Sequence, residues 1–184
     1  MRESGTGPDF ITVDGSEGGT GATFQELADR VGLPIKSAVI IADQTLKKYG
    51  IRDRVKLIAS GKLFTADRIA VILGMGADLV QIARAFMITV GCIMAQICHT
   101  NRCPVGVATT DPKLQKALVV DEKAYRALNY LVTLRESLFR ISAAAGVTSP
   151  TEIQSSHIQY KDDYQRVCSL DDLIAKDFPV SVSS

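Results

Sequence analysis

Residues 55–83 read VKLIASGKLFTADRIAVILGMGADLVQIA, and their pattern decides the fold class. The aliphatic run at 55–60 ends in Ser60, Gly61 and Lys62, small and polar residues of the kind that release a strand into a loop. Thr65 then caps a helix running through Leu73, and Gly74 and Gly76 stop it. A second apolar run of the same length, 78–83, leads into Ala83 and Arg84. Strand, loop, helix, strand is the grammar of a parallel sheet, in which the crossover helix packs back over the strands it joins.

Upstream, residues 9–14 (DFITVD) form a short β-rich run released by the glycine-rich loop GSEGGTGA at 15–22. Helices are predicted at 23–31 and 35–48, the second entered through Pro34 and closed by Gly50. Downstream the pattern changes. Ala124, Leu128, Leu131, Leu134, Leu138, Ile141 and Ala145 recur in steps of three and four, which predicts one long helix over 122–145. Thr148, Ser149 and Pro150 reopen a short helix, and from about Gln159 the chain is a polar tail whose last residues, 180–184, are loose. No repeat is visible beyond the strand–helix period.

With 184 residues, 46% hydrophobic and 22% charged, the chain has the composition of one globular domain with a real core. Its formal charge of +1, with lysines and arginines scattered, supplies no basic face for nucleic acid. The start, MRESG, has early acid and glycine and no apolar stretch behind it, so no targeting peptide is read and a cytoplasmic location is expected. The apolar run 83–98 is broken by Arg84 and Gln96 and is too short for a bilayer, which predicts a buried helix rather than a membrane span.

Three of the four cysteines, Cys92, Cys98 and Cys103, fall within twelve residues. Such clustering points to a metal or redox site before a disulfide framework. Zinc usually takes close Cys pairs and a fourth ligand, whereas the spacing here is C-x5-C-x4-C, with His99 the nearest candidate beside Cys98. An iron–sulfur cluster tolerates varied spacing, and Pro104 directly after the last cysteine is familiar from ferredoxin motifs. Three thiolates suit a cluster of three irons. Iron–sulfur, zinc and unliganded buried cysteine all stay open on spacing alone. Cys168 stands apart and reads as a small packed side chain.

Taken together, ITVDGSEGGTGA at 11–22, IASGKL at 58–63 and GCIMAQICHTNRCPVGVAT at 91–109 resemble the FMN-binding domain of glutamate synthase, in its stand-alone FMN-binding branch. The resemblance covers about residues 9–153. It implies an α/β fold: the C-terminal part, about the last three βα units, of a (β/α)8 TIM barrel, followed by a cysteine-cluster loop and C-terminal helices. Residues 1–110 would be the partial barrel with its iron–sulfur loop, 111–158 a helical extension and 159–184 the tail. A whole barrel needs about 250 residues and eight strands. Only three strands are read and Met1 falls just before the first motif, so an incomplete chain is expected, one not active alone: either a partner chain supplies the other strands or this is a fragment.

The resemblance also implies chemistry. FMN and a [3Fe–4S] cluster would serve an oxidoreductase acting on CH–NH2 donors, reducing 2-iminoglutarate, made from 2-oxoglutarate and glutamine-derived ammonia, to L-glutamate. Electrons would come from a reductase subunit or a ferredoxin. Carried over by motif, Cys92, Cys98 and Cys103 are the cluster ligands. For the flavin, Gly18, Gly19, Thr20 and Gly21 would let backbone approach the ligand, or simply make a tight turn. Ser60, Gly61, Lys62, Ala83 and Arg84 end two adjacent strands, and the two cations would neutralise the FMN phosphate or remain solvated. Asp14 and Glu17 would touch substrate or cap the following helix, His99 would support the cluster by hydrogen bonding, and His157 reads as surface. The rival readings are a non-catalytic iron–sulfur electron-transfer or assembly subunit and a zinc-stabilised structural domain.

Overall fold

A computed structural model describes residues 5–15, 31–161 and 164–178. Three strands, β1 (Phe10–Asp14), β2 (Lys56–Ser60) and β3 (Leu79–Gln81), form a parallel sheet in the order β1-β2-β3. The register aligns Ile11 with Leu57, Val13 with Ala59 and Ile58 with Leu79. The crossovers are α1 (Ile35–Lys48) and α2 (Ala66–Gly74). The strand-and-helix order read from residues 55–83 therefore stands, with β3 shorter than expected. The helix expected at 23–31 lies, apart from the non-helical Val31, outside the described residues.

The two faces of this sheet differ. Leu57 and Ala59 point to one side and are wholly buried, together with Val39 and Leu46 of α1 and Ile69 and Ile72 of α2. The α1 positions Ile35, Val39, Asp43 and Leu46 recur at three- and four-residue steps, so one stripe of the helix closes over this face. Side chains alternate along a strand, so Phe10, Thr12, Ile58 and Leu79 project to the other side. There Phe10 is 59% and Leu79 54% exposed. Parallel strands are ordinarily covered on both faces, and among the described residues this sheet is covered on one.

After β3 the chain enters α3 (Arg84–Thr89), a short helix α4 (Pro112–Gln115) and the 25-residue α5 (Val120–Ala144). The buried helix expected over 83–98 is corrected here: it stops at Thr89, Gly91 turns at φ +108°, and residues 93–97 are exposed coil. Glycine and the left-handed residues beyond it break the helical ladder that the apolar composition alone suggested. The long helix expected at 122–145 is α5, which packs on α2 through Leu134.

The stretch read as a polar tail also needs correcting, because its described part is folded. β4 (Gln159–Lys161) and β5 (Val167–Ser169) make an antiparallel hairpin, and α6 (Leu170–Asp177) follows, capped by the Ser169 hydroxyl accepting from the Asp172 N–H. Ile158 and Leu170 carry it onto the core, and a Cβ at Gly74 would strike Ile158. Two anchoring apolar residues among polar neighbours are too sparse a pattern for composition to reveal. Residues 180–184 lie outside the described residues. No helix among the described residues is long and apolar enough to cross a membrane.

Candidate functional site: a cysteine loop beside two strand ends

The loop from Gly91 to Thr110 closes on itself through one side chain. Asn101 sits in the left-handed region at φ +61°, a conformation asparagine tolerates better than most residues. Its carbonyl Oδ1 accepts from the Thr110 N–H (2.7 Å) and from the Thr109 hydroxyl (3.0 Å), and its main-chain oxygen accepts from Thr109 Oγ1 (2.7 Å). Gln115 Nε2 donates to the Thr109 carbonyl (2.9 Å), and Asp111 caps α4 by accepting from the Lys113 N–H (2.8 Å). Asn101 thus ties the middle of the loop to its C-terminal end, and that end to α4.

Inside this frame Cys92, Cys98 and Cys103 line one pocket, with Ile93, Ile97 and Pro104 among its walls and about 280 Å³ of empty space, open mouth included. All three are free thiols. The Met94 N–H approaches Cys92 Sγ at 3.4 Å. Met94 and Gln96 both adopt φ +57°, an arrangement that costs on the order of 1 kcal/mol per residue and is retained at sites where the surroundings demand it.

Cys103 is the buried member, 7% exposed. Burial alone would push its thiol up, but the backbone N–H groups of Ala108, Val105, Val107 and Gly106 outweigh that effect and bring it below the usual thiol range. Converging amides favour the thiolate, the form that binds metal. This donor set fits an anionic, sulfur-ligated group. Among the described residues no three of Cys, His, Asp and Glu draw close enough to share one metal ion; the three thiols border a common space without meeting at a point.

Gly106 makes this cradle possible. Its φ is +75°, and a Cβ there would lie 2.5 Å from the Leu114 carbonyl oxygen and 3.1 Å from Gln115 Cα. Gly106→Ala is accordingly expected to displace α4 and scatter the amides facing Cys103, weakening metal loading about 10–100-fold, the usual cost of disturbing groups that support metal ligands. Competition against a chelator measures this directly.

The second group of predicted residues sits at the C-terminal ends of β2 and β3. Gly15 N–H donates to the Ser60 carbonyl (2.8 Å), so the loop after β1 leaves beside the end of β2. Gly61 (φ +142°) and Lys62 (φ +46°) make a tight exit, and the Lys62 carbonyl lies 3.4 Å from Arg68 Nη1. Ala83 and Arg84 open α3 at the neighbouring strand end. Thr65 occupies the position before α2 without capping it; its hydroxyl bonds the Asp67 carboxylate instead and holds that group below the usual range. Gly18, Gly19, Thr20, Gly21 and Glu17 lie outside the described residues. His99 is exposed next to Cys98, and His157 accepts from the Gln154 N–H through Nδ1 (2.9 Å) in a surface turn.

Tyr130 links the two strand exits. From α5 its hydroxyl donates to the Phe64 carbonyl (2.9 Å), and its ring stands edge-on to Phe86 of α3 with centroids 5.3 Å apart. One α5 residue thereby braces the exits of both β2 and β3, and burial raises its phenol above the usual value. Asn101, Gly106 and Tyr130 all escaped the reading of the sequence. The first two lie within the quoted cysteine motif and so carried a signal; Tyr130 carried none beyond its helical spacing.

Comparison with known proteins agrees with this geometry. Residues 2–148 match the family model described as the conserved region in glutamate synthase. The chain is 58% identical over 174 residues to the glutamate synthase large subunit-like protein YerD of Bacillus subtilis, covering 95% of this chain and 33% of YerD. It is 36% identical over 143 residues to the archaeal-type glutamate synthase (NADPH) of Thermotoga maritima, covering 78% of this chain and 28% of that protein. With the glutamate synthase (NADPH) large chain of B. subtilis it shares 37% identity over 138 residues, 75% of this chain and 9% of the relative. The chain thus spans a third or less of the length of these relatives.

Proposed function

Because the chain belongs to the glutamate synthase family, we propose that it forms the iron–sulfur and phosphate-binding portion of an FMN-dependent oxidoreductase that reduces 2-iminoglutarate to L-glutamate. The observation that carries this reading is the pocket shared by Cys92, Cys98 and Cys103, with four backbone amides turned toward Cys103. Each thiolate would bind one iron of a [3Fe–4S] cluster, so the ligands border a common space rather than meet at one ion. Bound at Cys92, Cys98 and Cys103, a cluster would supply electrons for the flavin, and the flavin would supply the hydride for the imine carbon of the substrate.

The chain's own part in this chemistry is to bind. Ile93, Ile97 and Pro104 line the thiol pocket as apolar but solvent-exposed side chains, so any screening of the thiolates from water would come from groups that pack over this loop. Ser60, Gly61 and Lys62 at one strand end and Ala83 and Arg84 at the next would hold the FMN phosphate, Lys62 and Arg84 balancing its charge. Substrate 2-oxoglutarate, ammonia from glutamine and a reductase or ferredoxin donor belong to the same reading.

The bare side of the sheet supports a barrel wall. Phe10, Thr12, Ile58 and Leu79 would face a barrel interior packed by further strands, in the same polypeptide or in a partner chain. That same bare face also favours a second reading, an iron–sulfur electron-transfer or assembly subunit that complements a separate flavin-binding chain. Anaerobic reconstitution of the 184-residue chain, assayed for iron, acid-labile sulfide and FMN, tests both. Iron and sulfide in a 3:4 ratio together with FMN are expected on the first reading. Cluster without FMN supports the second, and one zinc without sulfide overturns both.

A further inference from the structure

The first turn of α5 carries a lysine whose surroundings differ from those of its neighbours. Asp121, Glu122, Ala124, Tyr125 and Arg126 are exposed, yet the Lys123 side chain is only 16% exposed. It lies against Gly91, the residue before Cys92: a Cβ built on Gly91 would stand 3.7 Å from both Lys123 Cε and Nζ. The aliphatic stem and the ammonium thus cover the turn from which the cysteine loop departs.

Two ordinary roles for such an ammonium are already taken by other groups. It could cap the carbonyls at the end of α3, but these have donors: Phe86 O accepts from the Val90 N–H and Thr89 Oγ1, Met87 O from the Cys92 N–H, and Ile88 O from the Gly91 N–H. It could pair with Glu122, whose Oε1 lies 3.4 Å away, but the same oxygen bonds Arg126 Nη2 at 2.7 Å. A half-shared carboxylate on the surface neutralises little of a largely buried cation.

We propose that Lys123 is a positioning residue for the redox centre, a positive charge held against Gly91, the residue preceding Cys92, that stabilises the more negative, reduced state of the sulfur-ligated cluster. This rests on the cluster reading given above. A positive charge near a cluster favours the state carrying one more electron, so it raises the reduction potential. Gly91 contributes by lacking a side chain where the ammonium rests.

The test is a redox titration of the anaerobically reconstituted chain, followed by electron paramagnetic resonance, beside iron and sulfide analysis. Lys123→Met, which keeps the stem and removes the charge, is expected to lower the ratio of reduced to oxidised cluster about tenfold at fixed potential, a shift of about 59 mV. Lys123→Arg restores the wild-type titration, which a purely steric role would not require. Lys123→Gln, uncharged but polar, is expected to shift the titration the same way as Lys123→Met and provides an independent arm should Lys123→Met fold poorly. A fully loaded Lys123→Met that titrates like wild type overturns this proposal alone. Wild-type chain that takes up no iron and sulfide overturns the cluster reading itself.

Discussion

Cys103→Ser is expected to reduce bound iron and labile sulfide at least about tenfold after anaerobic reconstitution, while leaving the thermal melt of the apoprotein close to wild type. The reason lies in what surrounds the sulfur. The backbone N–H groups of residues 105–108 lower its thiol below the usual range despite burial, and together they favour an anion. A serine hydroxyl in that position stays neutral and is a poor ligand for iron, and the amides then face an oxygen unable to carry the charge they are arranged to stabilise. Cys168→Ser is the matched control. Cys168 lies on the β4–β5 hairpin, its Sγ 3.7 Å from the Tyr160 carbonyl, and its loss should leave loading untouched. Wild-type loading by Cys103→Ser would remove the assignment of this residue as a ligand.

The contrast between Cys103 and its neighbours also marks how far the sequence could be read. The three thiols were legible because soft ligands at short spacing are rare, and the βαβ order was legible because glycine and polar residues punctuate each strand of 55–83. What organises the thiols was not legible. Asn101 and Gly106 act through backbone conformation, and a left-handed φ is a property of where the chain must go next. The apolar run 83–98 misled for the same reason: its composition is that of a core helix, but the turn at Gly91 and the left-handed Met94 and Gln96 convert it to a loop. The anchoring of the hairpin by Ile158 and Leu170 depends on α2 being present to receive them, which no local pattern encodes.

The opposite end of the sheet from the cysteine loop supplies the second large expected effect. Asp43 of α1 is 2% exposed, and its carboxylate accepts from Arg52 Nε (2.7 Å), Lys47 Nζ (2.7 Å) and Gln44 Nε2 (3.1 Å). Arg52 continues to Asp78 Oδ2 (2.8 Å) and to the carbonyls of Gly76 (2.7 Å) and Val55 (2.9 Å), and Asp78 Oδ2 accepts from the Leu57 N–H (2.7 Å). Gly76 must be glycine, since a Cβ there would meet Asp43 Cγ at 2.5 Å. One guanidinium therefore joins α1, the β2 entry and the β3 entry, and the Asp78–Leu57 contact fixes where β2 and β3 pair. Asp43→Ala leaves the part-buried guanidinium without one of its two carboxylate partners and should cost about 2–3 kcal/mol, below the full cost of breaking a wholly buried pair but still a large fraction of the roughly 5–15 kcal/mol typical of a domain. Urea unfolding of the chain would register it. For Asp78, burial alone would raise the carboxyl, but the Leu57 N–H and the Arg52 guanidinium outweigh it and hold the group below its ordinary value. A depressed folded value means the stabilisation is complete above the unfolded value of about 4 and is lost as pH falls through the folded one. Wild-type stability should therefore drop below about pH 4 more steeply than that of Asp78→Asn. Equal acid slopes would mean that the charge of Asp78 contributes nothing to strand pairing. A loss under about 1 kcal/mol for Asp43→Ala would mean that Asp78, the Gly76 and Val55 carbonyls and solvent satisfy Arg52 without it.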